Sequence, residues 1–292
     1  MEPAHRRGRV QGHRGRGRLS PGTVNPRGPA VGVFDSGIGG LSVLRALREA
    51  LPHARFDYLA DNAWAPYGER PADALRERVA GLVRGWRAQG ALDLLVLACN
   101  TATAVAIDAL RHEHPDLPIV GIEPAVRPAL ALTRSGAVGV LATRATLQSA
   151  RYQALRQTTL AAAAPGLRVH DRPADGLAAA IERGDEAQVQ ALCRSHLQAL
   201  LDEAPDIDTV VLGCTHYPLA LPAWQAAQPH PLQWIDPAEA VARRARQLLG
   251  PRADAGQGGL VWHATGRPEP LAQAAHHWLG LAAAVAPPAF AA

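Results

Sequence analysis

The chain has 292 residues, of which 48% are hydrophobic and 19% are charged, a composition typical of a globular protein. All 30 of its basic residues are arginine, so it has no lysine for the Schiff base that holds pyridoxal phosphate, and pyridoxal-phosphate enzymes are excluded. No apolar run approaches the ~18 residues of a membrane helix, and no apolar core follows the basic N-terminal segment, so we expect a cytoplasmic chain without membrane contact.

The net charge of +4 is unevenly distributed along the chain. Residues 1–30 hold seven arginines and one glutamate, which contribute +6 and leave the remaining residues at −2. Because this segment is rich in Arg, Gly and Pro, we expect it to be disordered, as we do the Ala- and Pro-rich residues 285–292. A basic arm can bind nucleic acid, but this one has no aromatic residue to stack on bases. Nucleic acid is therefore not expected as the primary partner.

Predicted strands and helices alternate along the chain, a pattern typical of α/β folds with mostly parallel sheets. The predicted strands are Ala30–Phe34, Arg55–Ala60, Leu92–Ala98, Pro118–Ile122, Ala137–Ala142, Thr209–Gly213 and Gln233–Ile235. The predicted helices are Leu41–Ala50, Pro71–Gln89, Thr103–His112, Ala145–Thr158, Asp185–Glu203 and Pro237–Leu249.

The two halves of the chain resemble each other. The run Val31–Phe34 recurs as Val138–Leu141, and the run Val96–Cys99 recurs as Val211–Cys214. A duplicated unit of this kind predicts two pseudo-symmetric domains with a cleft between them. It would set the two cysteine-bearing strand ends facing each other across that cleft.

Two of the three cysteines directly follow buried strands. Cys99 and Cys214 each lie where an apolar run meets a polar turn, and open α/β sheets bind ligands at the carboxyl ends of their strands. A matched pair of thiols at such a place indicates chemistry that needs an acid and a base of similar strength. Cys193 shares a helical stripe with apolar residues and is interpreted as part of the core.

Other interpretations of the cysteines remain open from the residues alone. A structural disulfide is rare in a cytosolic chain. Zinc is an alternative because Cys99, Cys214 and His216 offer three ligands, but the usual paired spacings of zinc sites are absent and no metal is expected.

Polar groups follow the other strand ends as well. After the first strand, Asp35 and Ser36 precede a glycine-rich turn in which Gly37, Gly39 and Ser42 nearly match a dinucleotide fingerprint. Because Asp35 would face the pyrophosphate, a small carboxylate ligand fits this turn better.

The second strand leads into a loop in which the Tyr67 hydroxyl and backbone groups are predicted to face the ligand. Next to the cysteines, His216 is placed to hold Cys214 as a thiolate, and Asp35 to accept a proton from Cys99.

Together these segments resemble the cofactor-independent glutamate racemases. The matching segments are Val33–Leu41, Ala65–Gly68, Ala98–Ala104, Gly121–Ala125, Thr143–Leu147 and Leu212–Pro218. The resemblance runs in order from about Val31 to Asp236 and is thinnest at Leu167–Gly184, where Ile181 and Glu182 still match.

The resemblance implies two three-layer α/β domains with the substrate enclosed between them. The first domain would comprise residues 31–122 and 234–284, and the second residues 123–233. The resemblance also implies that Cys99 and Cys214 are the catalytic thiols, supported by Asp35, His216 and Glu182. The implied substrate contacts are Asp35, Ser36, Pro66, Tyr67, Gly68, Asn100, Thr101, Thr146, Thr215 and His216.

The implied reaction is the interconversion of L- and D-glutamate without a cofactor, supplying D-glutamate for peptidoglycan synthesis. One cysteine would remove the α-proton while the other returns a proton to the opposite face. An aspartate racemase, or another two-cysteine isomerase of the same superfamily, is the nearest alternative. A homodimer is compatible with the resemblance.

Overall fold

The structure is a computed structural model that describes residues 28–290. Most of the predicted N-terminal extension, residues 1–27, and the last two residues lie outside this range. No helix within residues 28–290 combines the length and the apolarity needed to cross a membrane.

Ten strands and eleven α-helices form the described part of the chain. The strands are β1 (Ala30–Asp35), β2 (Arg55–Ala60), β3 (Leu94–Leu97), β4 (Ile119–Gly121), β5 (Ala137–Ala142), β6 (Arg168–Pro173), β7 (Thr209–Gly213), β8 (Gln233–Ile235), β9 (Gly259–Ala264) and β10 (Val285–Ala286). The helices are α1 (Leu41–Ala50), α2 (Ala72–Gln89), α3 (Asn100–Glu113), α4 (Val126–Leu132), α5 (Arg144–Gln148), α6 (Ala150–Ala161), α7 (Leu177–Arg183), α8 (Glu186–Glu203), α9 (Leu221–Ala227), α10 (Ala238–Leu249) and α11 (Glu269–Leu279).

The strands form two parallel sheets with the same internal order. The first sheet runs β10-β9-β2-β1-β3-β4, and the second runs β6-β5-β7-β8. The order β2-β1-β3-β4 is thus repeated as β6-β5-β7-β8, with β1 equivalent to β5 and β3 to β7. All pairings within both sheets are parallel. The repeat in the sequence therefore corresponds to a repeated sheet topology.

Each sheet is covered by helices on both faces. In the first sheet, Val31 and Val96 pack with α1 and α10, whereas Phe34 and Leu97 pack with α2 and α3 on the opposite face. In the second sheet, Leu212 packs with α8 and α9 while its neighbour Val211 packs with α4 and α6. Burial on both faces explains why these strands are continuously apolar. The predicted class, α/β with mostly parallel sheets in three layers, is confirmed.

Several elements differ from the sequence-based predictions. The predicted helix Ala145–Thr158 is two helices, because Ser149 adopts an extended conformation (ψ 141°) and its side chain caps α6 by accepting from the Tyr152 N–H. Strands β6, β9 and β10 and helices α4, α7, α9 and α11 are absent from the sequence-based predictions. In the predicted disordered tail, Val285–Ala286 pairs with β9 and Phe290 stacks on Trp86 with ring centroids 6.2 Å apart, so residues 285–290 are ordered by packing.

The first sheet draws on both ends of the described chain and the second sheet on its middle. Strand β8 pairs with β7, so residues 234 and 235 belong to the second sheet, whereas the predicted domain boundary falls after residue 233. The exact division of the chain into domains stays a prediction.

Candidate active site

Cys99 and Cys214 follow equivalent strands, β3 and β7, and their side chains line the same cavity. Both residues are almost fully buried, with exposed fractions of 5% and 6%. Parallel strands end at the same edge of a sheet, and the carboxyl edges of the two sheets meet at this cavity. Cys193, by contrast, is buried in the apolar core, as predicted from its helical stripe.

Cys99 lies at the N-terminus of α3. Its sulfur accepts a hydrogen bond from the Ala102 N–H (3.4 Å) and contacts the Ser36 hydroxyl oxygen (3.7 Å). Burial of the thiol, and next the negative charge of Asp35, raise the pKa of Cys99 to about 12. Cys99 is therefore protonated at neutral pH and available as a proton donor.

Cys214 lies beside an imidazole that a carboxylate holds in place. The Cys214 sulfur is 3.7 Å from His216 Nδ1, and His216 Nε2 is 2.5 Å from Glu182 Oε1. Burial by itself lowers the pKa of His216, but the hydrogen bonds and charges of Cys214 and Glu182 raise it well above its ordinary value. The resulting imidazolium donates from both nitrogens, and a cation at this position stabilises negative charge on the Cys214 sulfur.

The glycine-rich turn after β1 lies directly against Glu182 and His216, two residues from the half of the chain that forms the second sheet. A Cβ atom at Gly37 would overlap with the Glu182 carboxylate, and one at Gly39 would overlap with His216. The Ile38 N–H donates to Glu182 Oε1 (2.8 Å). The carboxylate that this turn binds in the structure is the side chain of Glu182, and binding of a small carboxylate ligand there stays a prediction.

Asp35 lies behind the cavity wall and is not part of its lining. It is fully buried and accepts hydrogen bonds from the Gly37 N–H (3.2 Å) and the Thr215 hydroxyl (3.4 Å). Burial raises the pKa of Asp35, and the positive charge of His216 opposes that rise. No direct hydrogen bond joins Asp35 to Cys99, so its effect on the thiol is electrostatic.

Most of the other predicted substrate contacts do line the cavity, and they are Ser36, Pro66, Tyr67, Gly68, Asn100, Thr101, Thr215 and His216. Thr146 does not. The Thr146 hydroxyl is 2.9 Å from that of Thr143 and 3.5 Å from that of Thr101, so it positions two residues that line the cavity.

The prediction that the Tyr67 hydroxyl faces the ligand is wrong. This hydroxyl donates to the buried carboxylate of Asp61 (2.6 Å), which also accepts two hydrogen bonds from Arg78 and one from Thr265. Asp61 is fully buried at the end of β2, where unpaired carboxylates are costly, and the phenol helps to satisfy it. The Tyr67 side chain therefore anchors the loop that forms one wall of the cavity.

Five further residues with polar side chains line the cavity but were not among the predicted site residues, namely Glu69, Thr143, Arg144, Asp175 and Tyr217. Thr143 and Arg144 follow β5, and Asp175 follows β6. The Thr143 hydroxyl is 3.0 Å from that of Thr101, which connects the two sheets. The strand-end rule applied to the predicted strand Ala137–Ala142 would have found Thr143 and Arg144. Asp175 gave no such signal because β6 itself was not predicted.

The cavity is narrow, with a volume of about 50 Å³, room for about three to five waters. Within the described residues, no group of three or more His, Cys, Asp or Glu side chains is arranged to hold a metal ion.

Comparison with known proteins assigns the chain to a family. The family model described as Asp/Glu/hydantoin racemase matches residues 32–245. Glutamate racemases from Ectopseudomonas mendocina (strain ymp) and Pseudomonas aeruginosa (strain PAO1) are each 48% identical to the chain. The matches extend over 229 and 226 residues, which are 78% and 77% of this chain and 84% and 83% of the relatives.

Solved structures give the same result. Glutamate racemase isoform RacE1 from Bacillus anthracis superimposes with a TM-score of 0.78 at 33% identity, covering 89% of this chain and 97% of that one. Escherichia coli glutamate racemase, solved with L-glutamate and the activator UDP-MurNAc-Ala, superimposes with a TM-score of 0.74 at 33% identity, covering 86% and 95%. The chain therefore belongs to the Asp/Glu/hydantoin racemase family and is an amino-acid racemase, an isomerase.

Proposed function

We propose that this enzyme interconverts L- and D-glutamate without a cofactor, by proton transfer at the α-carbon between Cys99 and Cys214. The observation that carries the proposal is the pair of buried thiols lining one narrow cavity in unlike electrostatic surroundings. The names of the two bacterial relatives that are 48% identical to this chain support glutamate as the substrate. The D-glutamate formed would supply peptidoglycan synthesis.

The two thiols start the reaction in opposite protonation states. Cys99, with its pKa raised to about 12, is the proton donor, and Cys214 beside the imidazolium of His216 is the thiolate. The Cys214 thiolate removes the α-proton from one face, the carbon takes up the electron pair of that bond, and Cys99 delivers its proton to the other face. The roles of the two sulfurs are then exchanged, which lets the same pair serve the reverse direction.

The carbanion formed between these steps needs stabilisation from the protein. Polar groups close to the thiols, among them those of Asn100 and Thr101, line the cavity and would donate hydrogen bonds to the substrate carboxylate. Because the cavity has room for only a few waters, these hydrogen bonds act in a low-dielectric surrounding, where they are stronger than in bulk solvent.

The substrate is tested by incubating the purified enzyme separately with L-glutamate and L-aspartate and resolving the enantiomers by chiral chromatography. We expect D-glutamate to form much faster than D-aspartate. Faster formation of D-aspartate would instead support the aspartate racemase alternative.

The role of the thiols is tested by replacement. Cys99→Ala and Cys214→Ala should each abolish racemisation of glutamate. Cys193→Ala is the matched control, since that thiol is buried in the core away from the cavity and its loss should leave kcat unchanged. Normal racemisation by either of the first two variants would contradict the proposal.

A further inference from the structure

An ion pair between Arg144 and Asp175 lies at the opening of the active-site cavity. Both side chains line this cavity and are about half exposed, 55% for Arg144 and 51% for Asp175. The two cysteines that line the same cavity are almost fully buried. The ion pair therefore marks the solvent end of the cavity, and the thiols mark its inner end.

The two members of the pair come from different strand ends of the second sheet. Arg144 is the first residue of α5, directly after Thr143, whose hydroxyl contacts that of Thr101 in α3, a helix that covers the first sheet. Asp175 lies just before α7, the helix that carries Glu182. A substrate entering between them passes two segments that also hold groups at the inner end of the cavity.

The charged residues that line the cavity are mostly acidic, which sets Arg144 apart. The acidic residues Glu69, Asp175 and Glu182 line it. At the inner end the imidazolium of His216 is paired with Glu182, so Arg144, the one arginine among residues 28–290 that lines the cavity, supplies the positive charge at the opening. A dicarboxylic amino acid carries two carboxylates and one ammonium group, so acidic surroundings alone would repel it. The planar guanidinium of arginine binds a carboxylate through two parallel hydrogen bonds. The Asp175 side chain that binds Arg144 is itself a carboxylate, the same group through which such a substrate would bind it.

We propose that Arg144 captures a carboxylate of the incoming amino acid at the opening, and that Asp175 occupies the guanidinium until the substrate displaces it. This inference rests on the proposed function, since it specifies how the same site takes up its dicarboxylic substrate. Because half-exposed ion pairs are weak, exchange of one carboxylate for another at Arg144 is energetically easy. Arg144 acts on binding in this account and takes no part in proton transfer.

The proposal predicts effects of opposite sign for the two partners. Arg144→Gln should lower kcat/KM for glutamate about tenfold, the size expected for one lost charge-assisted contact, while kcat changes by less than about twofold. Asp175→Asn should raise kcat/KM by about two- to threefold, because it frees the guanidinium for the substrate. Arg144→Lys keeps the charge without the two-pronged geometry and should give an intermediate value. The differences should shrink as ionic strength increases.

Matched controls come from an ion pair of similar exposure away from the cavity. Arg168 and Asp206 are 50% and 53% exposed and do not line it. Arg168→Gln and Asp206→Asn should therefore leave kcat and KM unchanged.

Four outcomes of these experiments decide whether Arg144 captures the substrate. If kcat/KM falls in Arg144→Gln and rises in Asp175→Asn, while both control variants keep the wild-type kcat and KM, the results support capture by Arg144. Parallel losses of kcat/KM in both variants, accompanied by a similar fall in Tm, would show a purely structural ion pair and overturn it, as would unchanged kinetics in both. A wild-type enzyme that leaves glutamate unconverted would refute the proposed function itself, a result that no variant is needed to recognise.

Discussion

Cys99 is surrounded by groups that disfavour its thiolate, namely buried apolar atoms and the charge of Asp35, and its pKa rises to about 12. Alkylation requires the thiolate, whose fraction grows tenfold per pH unit as long as the pH stays below the pKa. We therefore expect the rate of iodoacetamide labelling at Cys99 to rise about tenfold per unit between about pH 7 and pH 10. Peptide mass spectrometry at a series of pH values measures this rate.

A small free thiol of ordinary pKa is the reference, since its labelling rate should level off above about pH 9. If Cys99 levelled off together with this reference, the raised pKa, and with it the assignment of Cys99 as the initial donor, would be wrong.

His216 depends on Glu182 for its charge. The Glu182 carboxylate accepts from Nε2 and stabilises the imidazolium, so Glu182→Gln should lower the pKa of His216. A pKa that is raised in the folded state stabilises the fold at low pH, and this stabilisation is lost as the pH rises through the folded-state pKa. The free energy of unfolding of Glu182→Gln should therefore depend less on pH than that of the wild type. NMR titration, with the His216 signal assigned through His216→Asn, measures the shift.

Glu203→Gln is the control for this titration, because Glu203 lies 3.3 Å from a different imidazole, that of His170. It should leave the His216 midpoint in place. A midpoint that stays unchanged in Glu182→Gln as well would mean that Glu182 does not set the protonation state of His216.

The turn between β1 and α1 is the element that lets the two sheets approach each other at the site. Added methyl groups at Gly37 or Gly39 would collide with Glu182 or His216 and displace them. A displacement of about 1 Å at a catalytic group can cost about 100-fold in rate, so we expect Gly37→Ala and Gly39→Ala to lower kcat by that order. Steady-state kinetics alongside thermal unfolding measure the two effects separately.

Gly81 provides the matched control, since it lies inside α2 and an added Cβ would meet only the flexible end of Arg84 at 3.8 Å. Gly81→Ala should keep kcat and stabilise the fold by ~0.5–1 kcal/mol through helix propensity. Retention of full activity in Gly37→Ala would contradict the assigned role of the turn.

Among the strands, several that are easiest to predict from the sequence are buried on both faces. Strands β1, β5 and β7 are buried apolar runs whose only polar residues are terminal, Asp35 at the end of β1 and Thr209 at the start of β7, so the pattern is easy to recognise. Strand β6 contains two arginines, a histidine and an aspartate and lies at the edge of its sheet, so its sequence does not identify it. Helix α7 is a single short element that begins and ends at left-handed glycines, Gly176 and Gly184, and periodicity cannot detect so few residues.

The same distinction holds for the site. Cys99, Cys214 and their polar neighbours follow predictable strands, so the strand-end rule found them. Contacts between residues far apart in the chain, such as Ile38 with Glu182 and Asp61 with Thr265, depend on how the elements pack. For this reason the partner of the Tyr67 hydroxyl could not be predicted from the sequence. It is the carboxylate of Asp61, which also accepts hydrogen bonds from Arg78 and Thr265.

Across the whole molecule, the two sheets share part of their apolar core. One cluster of buried residues includes Leu44 of α1, Leu197 of α8 and Trp224 of α9. Because neither sheet can expose its part of this cluster without cost, we expect both to unfold in one transition. Far-UV circular dichroism and tryptophan fluorescence in a urea titration should give coincident curves.

Leu197→Ala, at a position only 1% exposed, should move both curves together and lower the free energy of unfolding by ~2–5 kcal/mol. Two separated transitions, with Leu197→Ala affecting only one of them, would show that the sheets unfold independently.

The central claim of the whole account is that two sulfurs act on one carbon from opposite sides. It is tested most directly by converting L-glutamate in D₂O, stopping early, and measuring deuterium at the α-position of each enantiomer by mass spectrometry. With two separate thiols, the D-glutamate formed should carry deuterium while the remaining L-glutamate keeps its original proton. Early D-glutamate that retains the substrate's own proton, or equal labelling of both enantiomers from the start, would contradict the two-thiol mechanism.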